Sequence, residues 1–258
     1  MSSPVLPDVG SDPRRLVRLD AVHNFRDMGG YPTADGRTTR WRTLFRADGL
    51  YRLTTSDLDR LRELSLRTVV DLRTNDELTE RGTFPHHEHP VDFHHVSVID
   101  HTWTPDDSLH EVDAADFLES AYRTMLDRTP DRFADAFQRL CTPGAMPAVF
   151  HCAAGKDRTG VLAMLLLGSL GVPEQYIAAD YALTESGMQR MREWSLREFP
   201  DLHERISATP AVFSAAVPEA MMRMVRHLTG EYGSIRQYVR EIGVLDEAVD
   251  RLADAFLE

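Results

Sequence analysis

An α/β fold whose sheet has a substantial parallel component is predicted for this chain by three observations. Short apolar runs alternate with helix-period segments through the first half. The second half is helical in pattern almost throughout, and no repeat or low-complexity linker divides the 258 residues. With 42% hydrophobic and 27% charged residues, the composition is that of an ordinary globular core. A single domain over residues 17–258 follows, preceded by a Pro/Ser/Gly-rich stretch, 1–16, expected to be a flexible tail.

Residues 43–47 (TLFRA) and 67–72 (RTVVDL) read as buried strands. The segment between them, TTSDLDRLRELS, reads as a helix with Thr55 or Ser56 as N-cap and Leu58, Leu61 and Leu64 on one face. Residues 91–98 form a third strand with partial alternation, within a His-, Asp- and Pro-rich region, 85–110, expected to continue as a long loop. Helices follow over 114–128, where Leu118, Tyr122 and Met125 share a face, and over 131–140, just after Pro130. Residues 147–151 (PAVFH) are the fourth strand. The run 159–170 is apolar nearly all round, which predicts a central buried helix closed by Gly171 and Pro173. Further helices are expected over 174–183, 185–199, 218–228, 235–241 and 245–257; Met188, Met191, Trp194, Leu196 and Phe199 give one of them a soft apolar face, suited to core or to a lid.

Charge and hydropathy exclude several functions. Lys plus Arg number 29 and Asp plus Glu 41, a formal net charge of −12, which repels nucleic acid and anionic bilayers. The longest apolar stretch, 161–172, is well short of the roughly 20 residues that span a membrane. The N-terminus has neither the basic start nor the apolar run of a signal peptide, so a cytoplasmic protein without integral membrane insertion is expected.

Two cysteines cannot build a disulfide framework. Cys141 reads as packing, with a protective Cys141–Cys152 disulfide as the alternative. The seven histidines between His86 and His110 have irregular spacing and read as a solvated segment rather than a metal site.

The segment FHCAAGKDRTG, 150–160, lies between an apolar strand and an apolar helix. A short loop entering a helix N-terminus turns consecutive amides inward, here those of Ala153, Ala154, Gly155 and Lys156, and with the helix dipole they bind a phosphate-sized dianion. Arg158 at its end can hold two phosphate oxygens bidentately, and the same field lowers the pKa of the Cys152 thiol. The chemistry implied is two-step phosphate monoester hydrolysis: Cys152 attacks phosphorus, Arg158 and the amides stabilise the equatorial oxygens, a carboxylic acid protonates the leaving oxygen, and water hydrolyses the phosphocysteine. Thr159 would stabilise the departing thiolate, and His151 would orient and polarise the loop. The pattern does not fit a nucleotide P-loop, because Phe150 stands where the first glycine belongs and Asp157 follows Lys156. A sulfurtransferase would not call for Arg158-Thr159 at the helix start. A weakly catalytic phospho-ligand binding module is the remaining alternative.

HCAAGKDRTG resembles the His-Cys-x5-Arg-Ser/Thr signature of cysteine-based protein tyrosine phosphatases. With HNFRDMGG at 23–30, TVVDLRT at 68–74, ADY at 179–181 and EYG at 231–233 in the same order, the chain resembles a bacterial tyrosine and phosphoinositide phosphatase family, some members of which are secreted without a leader. The resemblance implies a phosphatase-like fold, a central, mostly parallel sheet flanked by helices, with Cys152 at the base of a cleft and extra C-terminal helices as a lid. It implies phosphorylated protein or phosphoinositide substrates, inhibition by phosphate-like oxyanions, and neither metal nor cofactor. The general acid is left between Asp157 on the loop and Asp71 at a strand end, with Asp27 as a third candidate. Asp71 also reads as a helix N-cap, and Arg26 with Asp27 as a buried salt bridge at a turn needing Gly29 and Gly30. Lys156 is expected to add positive charge to a pocket for highly charged substrates.

Overall fold

The computed structural model describes residues 6–102, 112–199, 201, 204 and 209–258. Among them, five strands form one sheet: β1 (Arg26–Asp27), β2 (Leu44–Ala47), β3 (Thr68–Asp71), β4 (Asp92–His95) and β5 (Ala148–His151). The order is β1-β2-β5-β3-β4, with β1 antiparallel and the other four parallel. The expected α/β fold is therefore present. The third strand is shorter than the expected 91–98, and His110 lies outside the described residues.

Alternation along the strands divides the core in two. Leu44, Val70, Ala148 and Phe150 face the larger cluster, built with helices α3 (Ala114–Arg128), α4 (Pro130–Leu140), α5 (Asp157–Ser169), α6 (Glu174–Ala182), α8 (Pro218–Tyr232), α9 (Ile235–Glu241) and α10 (Asp246–Phe256). Phe45, Val69 and Val149 face the smaller one with Leu19, Val22, Phe25 and α1 (Thr55–Glu63). Two further helices, α2 (Asn75–Arg81) and α7 (Thr184–Glu198), sit at the C-terminal edge of the sheet or pack over segments that reach it. Helix α5 is buried on every side, as its composition predicts, and stops where Gly171 takes φ +78°. Among the described residues no helix is long and apolar enough to cross a membrane.

Four expectations need correction. The N-cap of α1 is Thr54, not Thr55 or Ser56: its hydroxyl accepts from the Asp57 amide while Asp57 accepts from the Thr54 amide, a reciprocal capping box. Helix α2 was unforeseen, and its N-cap is Thr74 rather than Asp71. The stretch before residue 17 is not free along its length: Val9 packs on the core, and buried Arg15 donates to the carbonyls of Val9 and Asp27 at 3.1 and 2.5 Å. Arg26 forms its ion pair with Asp180 rather than with Asp27, because neighbouring strand residues point to opposite faces.

Asp57 does more than cap α1. Its carboxylate also accepts from the amides of Asp20 and Ala21 at 2.6 and 3.2 Å, fastening the N-terminal segment to the helix. Asp57→Ala leaves three amides without their acceptor, and we expect a loss of roughly 2–4 kcal/mol in urea denaturation with turnover per folded molecule retained.

Candidate active site

Strand β5 ends at His151 and α5 begins at Asp157, so the five residues between them turn at the carboxyl edge of the central strand, where open α/β sheets place their clefts. Cys152 is the first residue of the turn and is buried. Gly155 makes the turn possible. Its φ is +67°, and a Cβ there would sit 2.5 Å from the Ala47 carbonyl oxygen.

The loop carbonyls are tied outward one after another. His151 Nδ1 lies 3.2 Å from the Cys152 oxygen, the Gly49 amide donates to Ala153 at 3.0 Å, and Asn24 Nδ2 donates to both Ala154 and Gly155 at 3.1 Å. Arg46 Nη2 donates to Gly155 at 2.8 Å, and the Gly160 amide to Lys156 at 2.7 Å. Peptide planes held this way present their N–H groups to the concave side, next to the positive end of α5. The result is a cradle with a sulfur at its base, of a kind that can hold a tetrahedral anion.

Arg158 stands in the first turn of α5, with Nη1 2.6 Å and Nη2 3.1 Å from the two carboxylate oxygens of Glu77. Burial opposes its charge, but Cys152, Glu77 and Asp157 outweigh that and raise its pKa above the ordinary value. Burial would likewise push the Glu77 carboxyl up, yet Arg158 and Thr74 hold it below its usual range. Glu77 is also the capping-box partner of Thr74, so one carboxylate both starts α2 and aims Arg158.

Beneath the loop lies a buried ion cluster. Asp180, on α6, receives Arg26 Nε at 3.0 Å, Arg46 Nη1 at 2.6 Å and the Tyr31 hydroxyl at 2.8 Å. Burial disfavours its charge, but the two arginines prevail and keep the carboxyl ionised, well below the usual carboxylate range. Two cations against one anion leave a surplus positive charge under the anion cradle.

The three acid candidates occupy different environments. The Asp157 side chain is 18% exposed at the loop's exit. Asp71 is fully buried and bidentate to Arg73, with its second oxygen 2.6 Å from Nη2 and 3.6 Å from His151 Nε2. Burial pulls its pKa up, but His151 and Arg73 pull it further down. Asp27 lies on the edge strand, facing away from the knot that Arg26 joins, and accepts from the amides of Gly29 and Arg42 at 2.8 and 2.7 Å. Burial raises its pKa to about 6 against those two bonds. The geometry leaves Asp157 as the candidate both beside the cradle and open to solvent.

His151 is buried and its pKa is lowered by burial, with Asp71 opposing. Because a carbonyl can only accept, its Nδ1 carries the hydrogen shared with Cys152. Thr159 is buried and its hydroxyl has no hydrogen-bond partner among the described residues. Lys156 departs from expectation. Its side chain is 1% exposed and its ammonium donates to the carbonyls of Val212 and Ala215 at 3.1 and 3.0 Å, so it clasps the segment before α8 instead of presenting charge to the pocket. Helix α7 packs on the strap of residues 20–24, whose Asn24 holds the loop: Arg190 Nη2 donates to the His23 carbonyl at 2.8 Å, and Trp194 lies 5.3 Å from the His23 ring. Cys141 and Cys152 are both free thiols, with strand β5 between them, and burial raises Cys141 to about 12.

Sequence reasoning passed over Asn24, Arg46, Glu77 and Asp180. Two left signals. An arginine inside the apolar strand LFRA and an aspartate inside IAADYA each imply a buried charge that needs a partner.

A model of the tyrosine phosphatase family matches residues 17–258. A Cupriavidus necator relative bearing a tyrosine-protein phosphatase name is 30% identical over 91% of this chain and 86% of its own length. A tyrosine-protein phosphatase of Nostoc commune is 30% identical over 80% of this chain and 71% of its own. The triple specificity protein phosphatase PtpB of Mycobacterium tuberculosis is 27% identical over 93% and 98%.

Two outcomes follow from this geometry. Gly155→Ala forces its Cβ into the Ala47 backbone at a left-handed φ, so it should lose turnover by about 100-fold or more, the scale of a lost oxyanion donor, and also lower the thermal midpoint by several degrees. Asp180 has a depressed folded pKa, so its contribution is present above the unfolded value and is lost as pH falls below about 4. Asp180→Asn should therefore be less stable at neutral pH by about 3–5 kcal/mol and show a shallower acid decline in denaturation.

Proposed function

This chain belongs to the tyrosine phosphatase family and is a phosphatase, and we propose that it hydrolyses phosphate monoesters through a phosphocysteine on Cys152. The observation that carries this reading is the loop with every carbonyl from Cys152 to Lys156 tied outward, which leaves its amides, the start of α5 and Arg158 around one sulfur. Such preorganised donors act where charge develops in the transition state and need no reorganisation to do so.

The sulfur attacks phosphorus in line while the scissile P–O bond breaks. Arg158, aimed by Glu77, and the loop amides hold the three equatorial oxygens. Asp157 gives its proton to the leaving oxygen. Water then attacks phosphorus, Asp157 takes back a proton, and the electron pair of the S–P bond returns to sulfur, which the Thr159 hydroxyl is placed to receive. Asp71, paired with Arg73 and beside His151, acts on the base of the loop rather than on the leaving group.

Phosphotyrosine is the proposed principal substrate class. Wider action on phosphoserine, phosphothreonine and phosphoinositides is supported by the name of the mycobacterial relative as a triple specificity phosphatase, and not by Lys156, whose charge is engaged elsewhere.

Hydrolysis of an aryl phosphate should be blocked by vanadate and abolished in Cys152→Ser; undiminished turnover in that variant would falsify the nucleophile assignment. Asp157→Asn should slow kcat by about 100-fold, within the range of general acid catalysis, whereas Asp27→Asn should stay within about threefold of wild type. A large loss in Asp71→Asn with Asp157→Asn intact would move the acid to the end of β3.

A further inference from the structure

We propose that Tyr122 is the positioning residue for the general acid, holding one oxygen of Asp157 so that the other carries and delivers the proton. This rests on the reading of Asp157 as the acid.

Tyr122 lies in the middle of α3, fully buried, and its hydroxyl is 2.7 Å from Asp157 Oδ1. The Tyr181 hydroxyl, from α6, is 2.5 Å from that of Tyr122, the two rings meeting edge to face. Each phenol has one hydrogen. A carboxylate can only accept, so the Tyr122 hydrogen goes to Asp157, and the Tyr181 hydrogen must go to Tyr122. The bonds therefore run in one direction, toward the carboxyl group. Burial and the neighbouring Asp157 raise the pKa of Tyr122 well above the ordinary phenol value, so it remains a donor and never supplies the proton itself. Gly160 on α5 leaves room for this arrangement, since a Cβ there would meet the Tyr181 ring at 3.0 Å.

A cation also lies near the same oxygen. Lys156 Nζ is 3.5 Å from Asp157 Oδ1, fixed there by its bonds to Val212 and Ala215. With the Tyr122 hydroxyl bonded to Oδ1 and the ammonium beside it, Oδ2 is the oxygen left to carry the acidic proton. The Tyr122 bond to Oδ1 persists whether Oδ2 is protonated or not, so one geometry serves both half-reactions. In the first, the leaving oxygen takes the Oδ2 proton as the S–P bond forms and the P–O bond breaks. In the second, Oδ2 takes a proton from the attacking water as the S–P bond breaks and its electron pair returns to sulfur.

A positioning role of this kind predicts a loss that depends on the leaving group, because a poor leaving group needs the proton and a good one hardly does. The test is kcat and KM for a series of aryl phosphates from p-nitrophenyl to phenyl phosphate, in wild type, Tyr122→Phe, Tyr181→Phe, Asp157→Asn and the Asp157→Asn/Tyr122→Phe double variant. Tyr122→Phe should lose about tenfold in kcat/KM on phenyl phosphate and about twofold on p-nitrophenyl phosphate, as expected for one hydrogen bond to a reacting group. The series is read in kcat/KM, which reports the half-reaction that expels the leaving group, because all the substrates share one phosphocysteine. Tyr181→Phe should show the same trend more weakly, and it decides the question if Tyr122→Phe does not fold. The double variant should be no slower than Asp157→Asn, because both changes act through one carboxyl group. An equal loss across the series in the tyrosine variants, or a double variant slower by the product of the two single losses, overturns the positioning role while a steep series in Asp157→Asn leaves the acid in place. A flat series in Asp157→Asn overturns the acid assignment and the role of Tyr122 with it.

Discussion

The carboxylate of Asp180 is the interaction on which the site depends. It joins Arg26 of the edge strand, Arg46 of the next strand and the Tyr31 hydroxyl inside the protein, and Arg46 passes the restraint on to the Gly155 carbonyl. None of these charges could stand there alone, since an uncompensated buried ion costs several kcal/mol. Together they cost less and leave one positive charge in excess beneath the loop. That surplus, the outward carbonyls and the start of α5 would favour an anion at the proposed site in a chain whose overall charge is −12.

The loop works because its peptide groups are turned over. In a helix or strand the carbonyls would be used by the regular backbone ladder, whereas here the side chains of Asn24, Arg46 and His151 and the amide of Gly49 each hold one or two of them. Those holders are placed by the sheet edge and the strap before it, and α7 packs on that strap through Arg190 and Trp194. Glu77 adds economy of another sort, since the carboxylate that caps α2 also aims Arg158. Stability and chemistry are coupled at this residue, because fraying of α2 would release the guanidinium.

Most of the fold was legible from periodicity. The buried strands and the apolar helix after the loop are written in contiguous residues, and they form within a residue or two of the expected bounds. Helix α2 was not, because NDELTER has no apolar face to show a period; its only written mark was the capping pair Thr74 and Glu77. The tail misled for a related reason. Its composition is that of a flexible segment, but Arg15 stacks over Tyr31 and Trp41 at 4.2 and 4.6 Å, contacts that composition cannot express.

Cys152, Gly155, Arg158 and Thr159 were determined by the sequence itself, since a loop between a strand and a helix is closed by residues adjacent in the chain and their spacing states its geometry. What tertiary structure decided was the direction of charge. Lys156 reads as pocket-lining until Val212 and Ala215 are seen to take its ammonium, and Asp71, one of the acid candidates, is paired with Arg73 beside His151. Arg26 and Asp180 are 154 residues apart, Asn24 and Gly155 131. A side chain's hydrogen-bond partner is set by which elements pack together, and no local pattern carries that information.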